Sequence, residues 1–352
     1  MARGGGEAIA RLGGRWATGL REVSSDLGVL DTSGTWAVVV PYEGAPRLLR
    51  FGDWHQDRPA LRDDLGGAGW IGPPLSSWST SMDRESYCQA VLSTRQEIAA
   101  GTVYQANICR VLAADLPDDR APMAALHERL QAWNPAPHAG FIDAPEAGVK
   151  VATASPELFL KRDGQRLRTG PIKGTAAARE GLLEKDWAEN VMIVDLMRND
   201  LGRVCEVGTI AVPELTKVEQ HPGLVHLVSS VEGTLAEAAS WAQVFEACFP
   251  PGSVTGAPKS SALRVISGLE PVSREVYCGA IGWVDADRRQ ASLAVAIRTF
   301  WHRDSVLRFG TGAGITWGSD PLQEWQETQL KARRLITVAA SDGDGDLAGL
   351  QA

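Results

Sequence analysis

The chain has 352 residues, of which 44% are hydrophobic and 22% charged, and carries a formal net charge of −8 at pH 7. This is the composition of a globular protein with one large or two medium domains. The acidic balance and the lack of any basic run exclude a nucleic-acid-binding surface, but not a small anionic ligand met by local positive charge or a divalent cation.

Five dispersed cysteines (Cys88, Cys109, Cys205, Cys248, Cys278) lack CxxC spacing and read as reduced thiols of a cytoplasmic protein. Neither a signal-peptide core nor an 18-residue apolar run occurs, so no membrane span is expected. Three segments are expected: 1–80, contributing strands to the main fold; 81–340, the catalytic domain; and 341–352, a disordered Gly/Asp-rich tail.

In chain order, Thr35–Val40 reads as a buried strand with Arg47–Phe51 as its partner, and Gly66–Pro74 as a loop. A helix starts near Asp83 with Tyr87, Val91 and Ile98 on one face, and Gly101 ends it. Val103–Cys109 alternates as a strand should. Helices are expected over 122–133, 184–201, 241–247, 259–268 and 321–340. Strands are expected over 149–153, 157–161, 225–231, 280–284, 291–297 and 305–309. Strands in adjacent runs, without βαβ alternation, predict a mixed, largely antiparallel α+β fold.

The chemistry-bearing residues are spread along this pattern. Lys173 lies in the Pro/Gly-punctuated Thr169-Gly-Pro-Ile-Lys-Gly-Thr175, read as a turn, sixteen residues after Glu157 of Ser155-Pro-Glu. To attack carbon its amine must be neutral, which needs a lowered pKa; Glu157, if burial keeps it protonated, is a general acid. Glu189 sits on the long helix, and Glu324 and Glu327 share a helix face. Carboxylates from two helices, completed by water, suit Mg²⁺. Gly310-Thr-Gly-Ala-Gly314 follows a strand and offers backbone N–H groups to an anion. Arg298 suits a carboxylate. Taken singly, Lys173 is an ordinary loop lysine, the glutamates are surface charges, the glycines form tight turns and His226 is a core histidine.

Together the segments resemble the chorismate-utilising enzymes (anthranilate, aminodeoxychorismate, isochorismate and salicylate synthases) from about Asp83 to Thr337. The resemblance rests on Tyr104-Gln-Ala-Asn107, Ser155-Pro-Glu157, Pro171-Ile-Lys-Gly-Thr175, Glu189–Arg203, His226-Leu-Val-Ser229, Thr255-Gly-Ala-Pro-Lys259, Tyr277–Gly282, Ala296-Ile-Arg-Thr299 and Gly310–Gly314. It implies the anthranilate synthase component I-like sandwich of two largely antiparallel sheets covered by outer helices. It further implies Mg²⁺ on Glu189 and Glu327 with Glu324 close by, and chorismate held by Arg298, Tyr277, Gly312 and Gly314, with Thr255 and His226 lining the pocket.

Two positions discriminate within the family. Gln105 stands where isochorismate- and salicylate-forming members carry a water-activating lysine, and Lys173 stands where anthranilate synthases carry alanine. The lysine version looks like component I of aminodeoxychorismate synthase. Lys173 would add at C2 of chorismate as the C4 hydroxyl leaves, and ammonia from a separate glutamine amidotransferase subunit would then enter at C4. A downstream aminodeoxychorismate lyase would take the product. Departures are Gly170, where many members have arginine, Pro251 in place of a glycine, and no Leu-Leu-Glu-Ser motif, so tryptophan regulation is not expected. The alternatives are anthranilate synthase component I, with amination at C2, and a catalytically silent chorismate-binding protein.

Overall fold

The computed structural model describes residues 8–59, 69–117, 122–176, 184–221 and 224–341. The expected tail beyond Ser341 and residues 66–68 of the expected loop lie outside them.

Among the described residues every strand pairing is antiparallel, and the pairings join into one continuous ladder that folds back on itself as two packed halves. The first half runs β2 (Arg15–Ser24), β4 (Arg47–His55), β3 (Thr35–Val40), β15 (Ala280–Asp285), β16 (Gln290–Val295), β9 (Leu158–Asp163), β10 (Arg166–Gly170) and β13 (Leu224–Thr234). Both β11 (Ile172–Ala176) and β12 (Ala211–His221) also pair with β13. The second half runs β1 (Ile9–Leu12), β7 (His138–Ala144), β8 (Val149–Ser155), β17 (Thr299–Arg303), β18 (Val306–Ile315) and β6 (Gln105–Asp115). The short β5 (Ser79–Thr80) and β14 (Gly256–Ala257) finish it.

The halves meet at the β1–β2 hairpin, whose Gly13 and Gly14 take φ of 58° and 77°, conformations that other residues rarely adopt. One contiguous cluster of buried apolar side chains, drawn from both faces of strands such as β3, joins the two halves. Trp36, Val38 and Val39 of β3 and Leu293 of β16 lie in it with Val111 of β6, Ile142 of β7 and Trp301 of β17. Each such large side chain contributes about 1.5–3 kcal/mol on full burial. The α+β sandwich expected from sequence is therefore the observed fold, with its two sheets joined into one ladder.

Six α-helices cover the outer faces among the described residues: α1 (Arg84–Ala99), α2 (Met123–Trp133), α3 (Glu184–Gly202), α4 (Trp241–Cys248), α5 (Lys259–Leu269) and α6 (Pro321–Ala339). Local chemistry sets several of their ends. Asp83 caps α1 by accepting from Ser86 N, Ser240 and Gln243 form a reciprocal capping box on α4, and Asp320 caps α6 with Pro321 behind it. Tyr87, Ala90 and Val91 of α1 pack with α5 against Ile108 of β6 and Ala313 of β18, while α2 and α6 share a second core over β7 and β8. No helix is long and apolar enough to cross a membrane among the described residues.

Three expectations differ. Strand β6 does not alternate: nearly all its side chains are buried, because it lies between β18 and β14 under α1 and α5. The glycine run Gly310–Gly314 is no loop after a strand but part of β18, paired residue by residue with β6. Lys173 likewise lies on β11 instead of in a turn.

Candidate active site

Strand β11 carries Lys173 to the centre of the site. The ladder shifts register between Lys173, opposite Leu227, and Thr175, opposite His226. Gly174 is the extra residue, at φ 65°, so the Lys-Gly pair encodes a β-bulge that re-aims the lysine. Gly170 needs no such freedom: a Cβ there would meet Leu158 Cβ at 3.4 Å, an ordinary contact.

Glu189 reaches the same point from α3. The next residue, Asn190, anchors the helix by donating to Leu227 O at 3.2 Å and accepting from Ser229 Oγ, both on β13 beside β11. Lys173 Nζ lies 2.8 Å from Glu189 Oε1 and donates to Ser253 O at 3.3 Å. Gln105 Nε2 donates to the same Glu189 oxygen at 2.7 Å. Gly314 makes this approach possible, since a Cβ there would fall 2.2 Å from Gln105 Nε2 and 3.0 Å from Glu189 Oε1.

Glu157 occupies the link between β8 and β9. Ser155 Oγ donates to Val295 O at 2.6 Å and Val295 N donates to Glu157 O at 3.0 Å, which pins the turn. Its carboxyl is 4% exposed, and burial raises its pKa to about 7 against the opposing pull of Ser253 and Lys173. Burial also works to lower the Lys173 amine. Glu189, Glu157 and Glu327 together outweigh it, so the amine is held above its ordinary value. Glu189 is likewise opposed by burial but stays below the ordinary carboxylate range through Lys173 and Gln105. In this state the pair is an ammonium and a carboxylate, whereas attack on carbon requires the neutral amine.

Arg298 follows β16 with φ 50°, a strained conformation for arginine, and its carbonyl accepts from Ala154 N at 3.0 Å near the Glu157 turn. The guanidinium is half-buried, its pKa is lowered by burial, and it has no ion-pair partner among the described residues. An uncompensated cation in such a place is a ready partner for a carboxylate. Tyr277 packs its ring on Gly310, where a Cβ would lie 2.1 Å from Tyr277 Cγ; burial and Cys109 raise its pKa, keeping the phenol neutral.

The other expected residues divide. Gly312 lends its carbonyl to Lys331 Nζ at 3.1 Å and lies against Cys109, where a Cβ would come within 2.5 Å of Sγ. The β18 glycines thus provide room inside a ladder. Gly312 and Gly314 lie opposite Cys109 and Asn107, whose N–H groups turn away from β18, so their own N–H groups face away from β6. Thr255 is fully buried and donates to Pro251 O at 3.1 Å, so its hydroxyl serves its own turn. Ser253, two residues earlier, accepts from Lys173 through its carbonyl, while its buried hydroxyl makes no hydrogen bond among the described residues and lies close enough to Glu157 to lower its pKa. Sequence reasoning missed it because nothing in Gly252-Ser-Val-Thr255 distinguishes the two. His226 is on β13 opposite Thr175, but its side chain lies outside the described residues.

On α6, Glu324 is buried, and Glu327 is half-buried with Lys331 Nζ at 2.5 Å. No three His, Cys, Asp or Glu side chains gather into a metal-holding group among the described residues. Glu189, Glu324 and Glu327 therefore do not form one cluster. The donor chemistry still fits Mg²⁺: Glu189 and Glu327 both bear on the Lys173 ammonium, and Mg²⁺ commonly takes one or two carboxylates and completes its shell with water or substrate oxygen. A cavity of about 250 Å³ lined by Asp31, Arg162, Trp241 and Arg289 contains none of these groups, so the site is defined by its side-chain chemistry and not by cavity size.

Residues 72–337 match the family model described as chorismate binding enzyme, and the chain belongs to that family. It is 37% identical over 301 residues to anthranilate synthase component 1 of Streptomyces coelicolor, covering 79% of this chain and 58% of that protein. It is 37% identical over 314 residues to aminodeoxychorismate synthase component 1 of Klebsiella aerogenes, covering 86% of this chain and 68% of that protein. The chain thus spans little more than half the length of the first of these relatives. The crystal structure of anthranilate synthase component I from Streptococcus pneumoniae superposes with a TM-score of 0.74 at 23% identity, over 96% of this chain and 91% of that one, and shares its fold.

Proposed function

We propose that this chain aminates chorismate at C4 with ammonia, giving 4-amino-4-deoxychorismate through a covalent Lys173 adduct. The observation that carries this is Lys173 Nζ, 2.8 Å from Glu189, beside a Glu157 carboxyl whose pKa lies at about 7. A nucleophile and a protonated acid so placed can act on the two ends of one conjugated diene and its leaving group.

Arg298 holds a substrate carboxylate. Lys173 Nζ bonds to C2, the two conjugated ring double bonds each shift by one bond, and the C4–O bond breaks as Glu157 gives its proton to the leaving hydroxyl, releasing water. Ammonia then bonds to C4, both double bonds shift back and the Lys173 amine departs from C2, taking the proton that the incoming ammonia loses. Attack needs neutral Nζ, which Glu189 and Glu327 oppose; when their charge is engaged elsewhere, burial favours loss of the proton. Glu189 and Glu327, with Glu324 close by, would hold Mg²⁺, which when bound supplies charge neutralisation for a substrate carboxylate. The ammonia would come from a separate glutamine amidotransferase subunit, an aminodeoxychorismate lyase would consume the product, and the setting would be cytoplasmic.

A second reading, amination at C2 with pyruvate loss, draws on the 37% identity to anthranilate synthase component 1. Product analysis separates the two. Chorismate, Mg²⁺ and an ammonium salt should give a product that aminodeoxychorismate lyase converts to 4-aminobenzoate. Fluorescent anthranilate formed without that lyase would contradict the C4 reading.

A further inference from the structure

Arg110, on β6, lies outside the reacting groups yet is only 2% exposed. Its Nε donates to Thr328 Oγ1 at 3.0 Å, Nη1 to Thr80 Oγ1 at 2.9 Å and Nη2 to Gln329 Oε1 at 2.8 Å. Its guanidinium lies 4.4 Å from the centroid of the Trp325 ring. Among the described residues it makes no ion pair, so a full charge is buried on neutral acceptors. An apolar side chain of similar volume often stabilises such a place as well or better. What the fork supplies is geometry: a planar array of donors that fixes its partners.

Those partners sit beside the cation-binding face. Thr311 faces Arg110 across the β18–β6 ladder and donates to Thr328 O at 3.0 Å. One residue of α6 is thereby gripped at both hydroxyl and carbonyl, and the next at its side chain. Glu327 immediately precedes this pair, and Glu324 lies one turn earlier on the same face. A slip of α6 by one residue would turn both carboxylates by about 100°.

We propose that Arg110 is a positioning residue: it fixes the rotation of α6 that brings Glu327 toward Lys173 and Glu189, and so sets the affinity of these carboxylates for a divalent cation. This rests on the Mg²⁺ reading given above.

Mn²⁺ is the probe, since it accepts the same oxygen donors and its free ion is counted by electron paramagnetic resonance. It is titrated without substrate into the wild-type chain, Arg110→Met, Arg110→Lys, Gln329→Ala and Glu189→Gln, with thermal melts in parallel. Arg110→Met weakens binding by about tenfold or more, the range for loss of a group that orients a ligand. Arg110→Lys keeps the charge, loses the fork and behaves like Arg110→Met. Gln329 is exposed, so Gln329→Ala keeps its melting temperature and shows a smaller loss in the same direction, which decides the matter if Arg110→Met fails to fold. Unchanged Mn²⁺ affinity in Arg110→Met and Gln329→Ala, with Glu189→Gln weakened, overturns the positioning role alone. Equal affinity in wild type and Glu189→Gln overturns the cation reading and the positioning role together.

Discussion

Lys173 Nζ and Glu189 Oε1 lie 2.8 Å apart on two elements packed together, a bulged strand of the ladder and a helix pinned to that strand's neighbour by Asn190. The contact keeps the proposed nucleophile protonated and the proposed cation ligand ionised. The resting site is thus held in a form from which chemistry begins only after Glu189 is engaged by something other than Lys173.

Glu157 makes stability and activity depend on pH in a defined sense. Its folded pKa of about 7 lies above the ordinary glutamate value of 4.5, so the folded state binds the extra proton between the two values. Stability from this group is full below pH 4.5 and is lost as pH rises through 7. Glu157→Gln should therefore gain on the wild type at pH 8 relative to pH 4.5, by on the order of 3 kcal/mol, in denaturant unfolding without metal. The same variant should lose roughly 10²–10⁴-fold in kcat, the usual scale for a general acid.

The two hydroxyls of Gly252-Ser-Val-Thr255 should separate by phenotype. Ser253 helps to hold the Glu157 carboxyl down, so Ser253→Ala should move the alkaline limb of the pH–kcat profile upward. Thr255 donates to Pro251 O, and Thr255→Val should lower stability by about 1 kcal/mol while leaving that limb in place. A pH profile unchanged in Ser253→Ala would remove Ser253 from the site.

Arg298 has no ion-pair partner among the described residues, so its loss should fall on substrate and not on the fold. Arg298→Met should raise KM for chorismate by about one to two orders of magnitude, the scale of a charge-assisted hydrogen-bonded pair, with little change in Tm. Arg298→Lys should recover only part of it, since the planar fork is lost. A large fall in Tm with unaltered KM would mean that Arg298 is structural.

Gly314 and Gly170 offer a matched pair. A methyl at 314 falls 2.2 Å from Gln105 Nε2, whereas one at 170 meets only an ordinary contact with Leu158. Gly314→Ala should fold, displace Gln105 from Glu189 and lose most activity; Gly170→Ala should keep it. Steady-state rates of the two variants, with circular dichroism, check this.

Much of this was legible in sequence where local chemistry decides. Asp83, Ser240 and Asp320 mark helix starts by capping, and Val38-Val-Val40 demands a covered strand. Glu157, Lys173 and Glu189 could be singled out by motif order. What could not be read depends on partners far apart in the chain. Gly310–Gly314 looks like a loop until β6 is laid beside it, where its glycines make room for Tyr277, Cys109 and Gln105. The Lys173 ammonium is set by three glutamates from a turn, α3 and α6. The grip of Arg110 on Thr328 spans 218 residues of sequence.

The covalent role of Lys173 is tested most directly by intact-protein mass spectrometry with chorismate and Mg²⁺ when ammonia is withheld. The adduct at C2 should then accumulate as a mass increase of one chorismate less one water, mapped to Lys173 by peptide sequencing and absent from Lys173→Ala. It should disappear on adding ammonium salt, as 4-amino-4-deoxychorismate forms. Absence of any adduct under trapping, together with full activity of Lys173→Ala, would contradict the account.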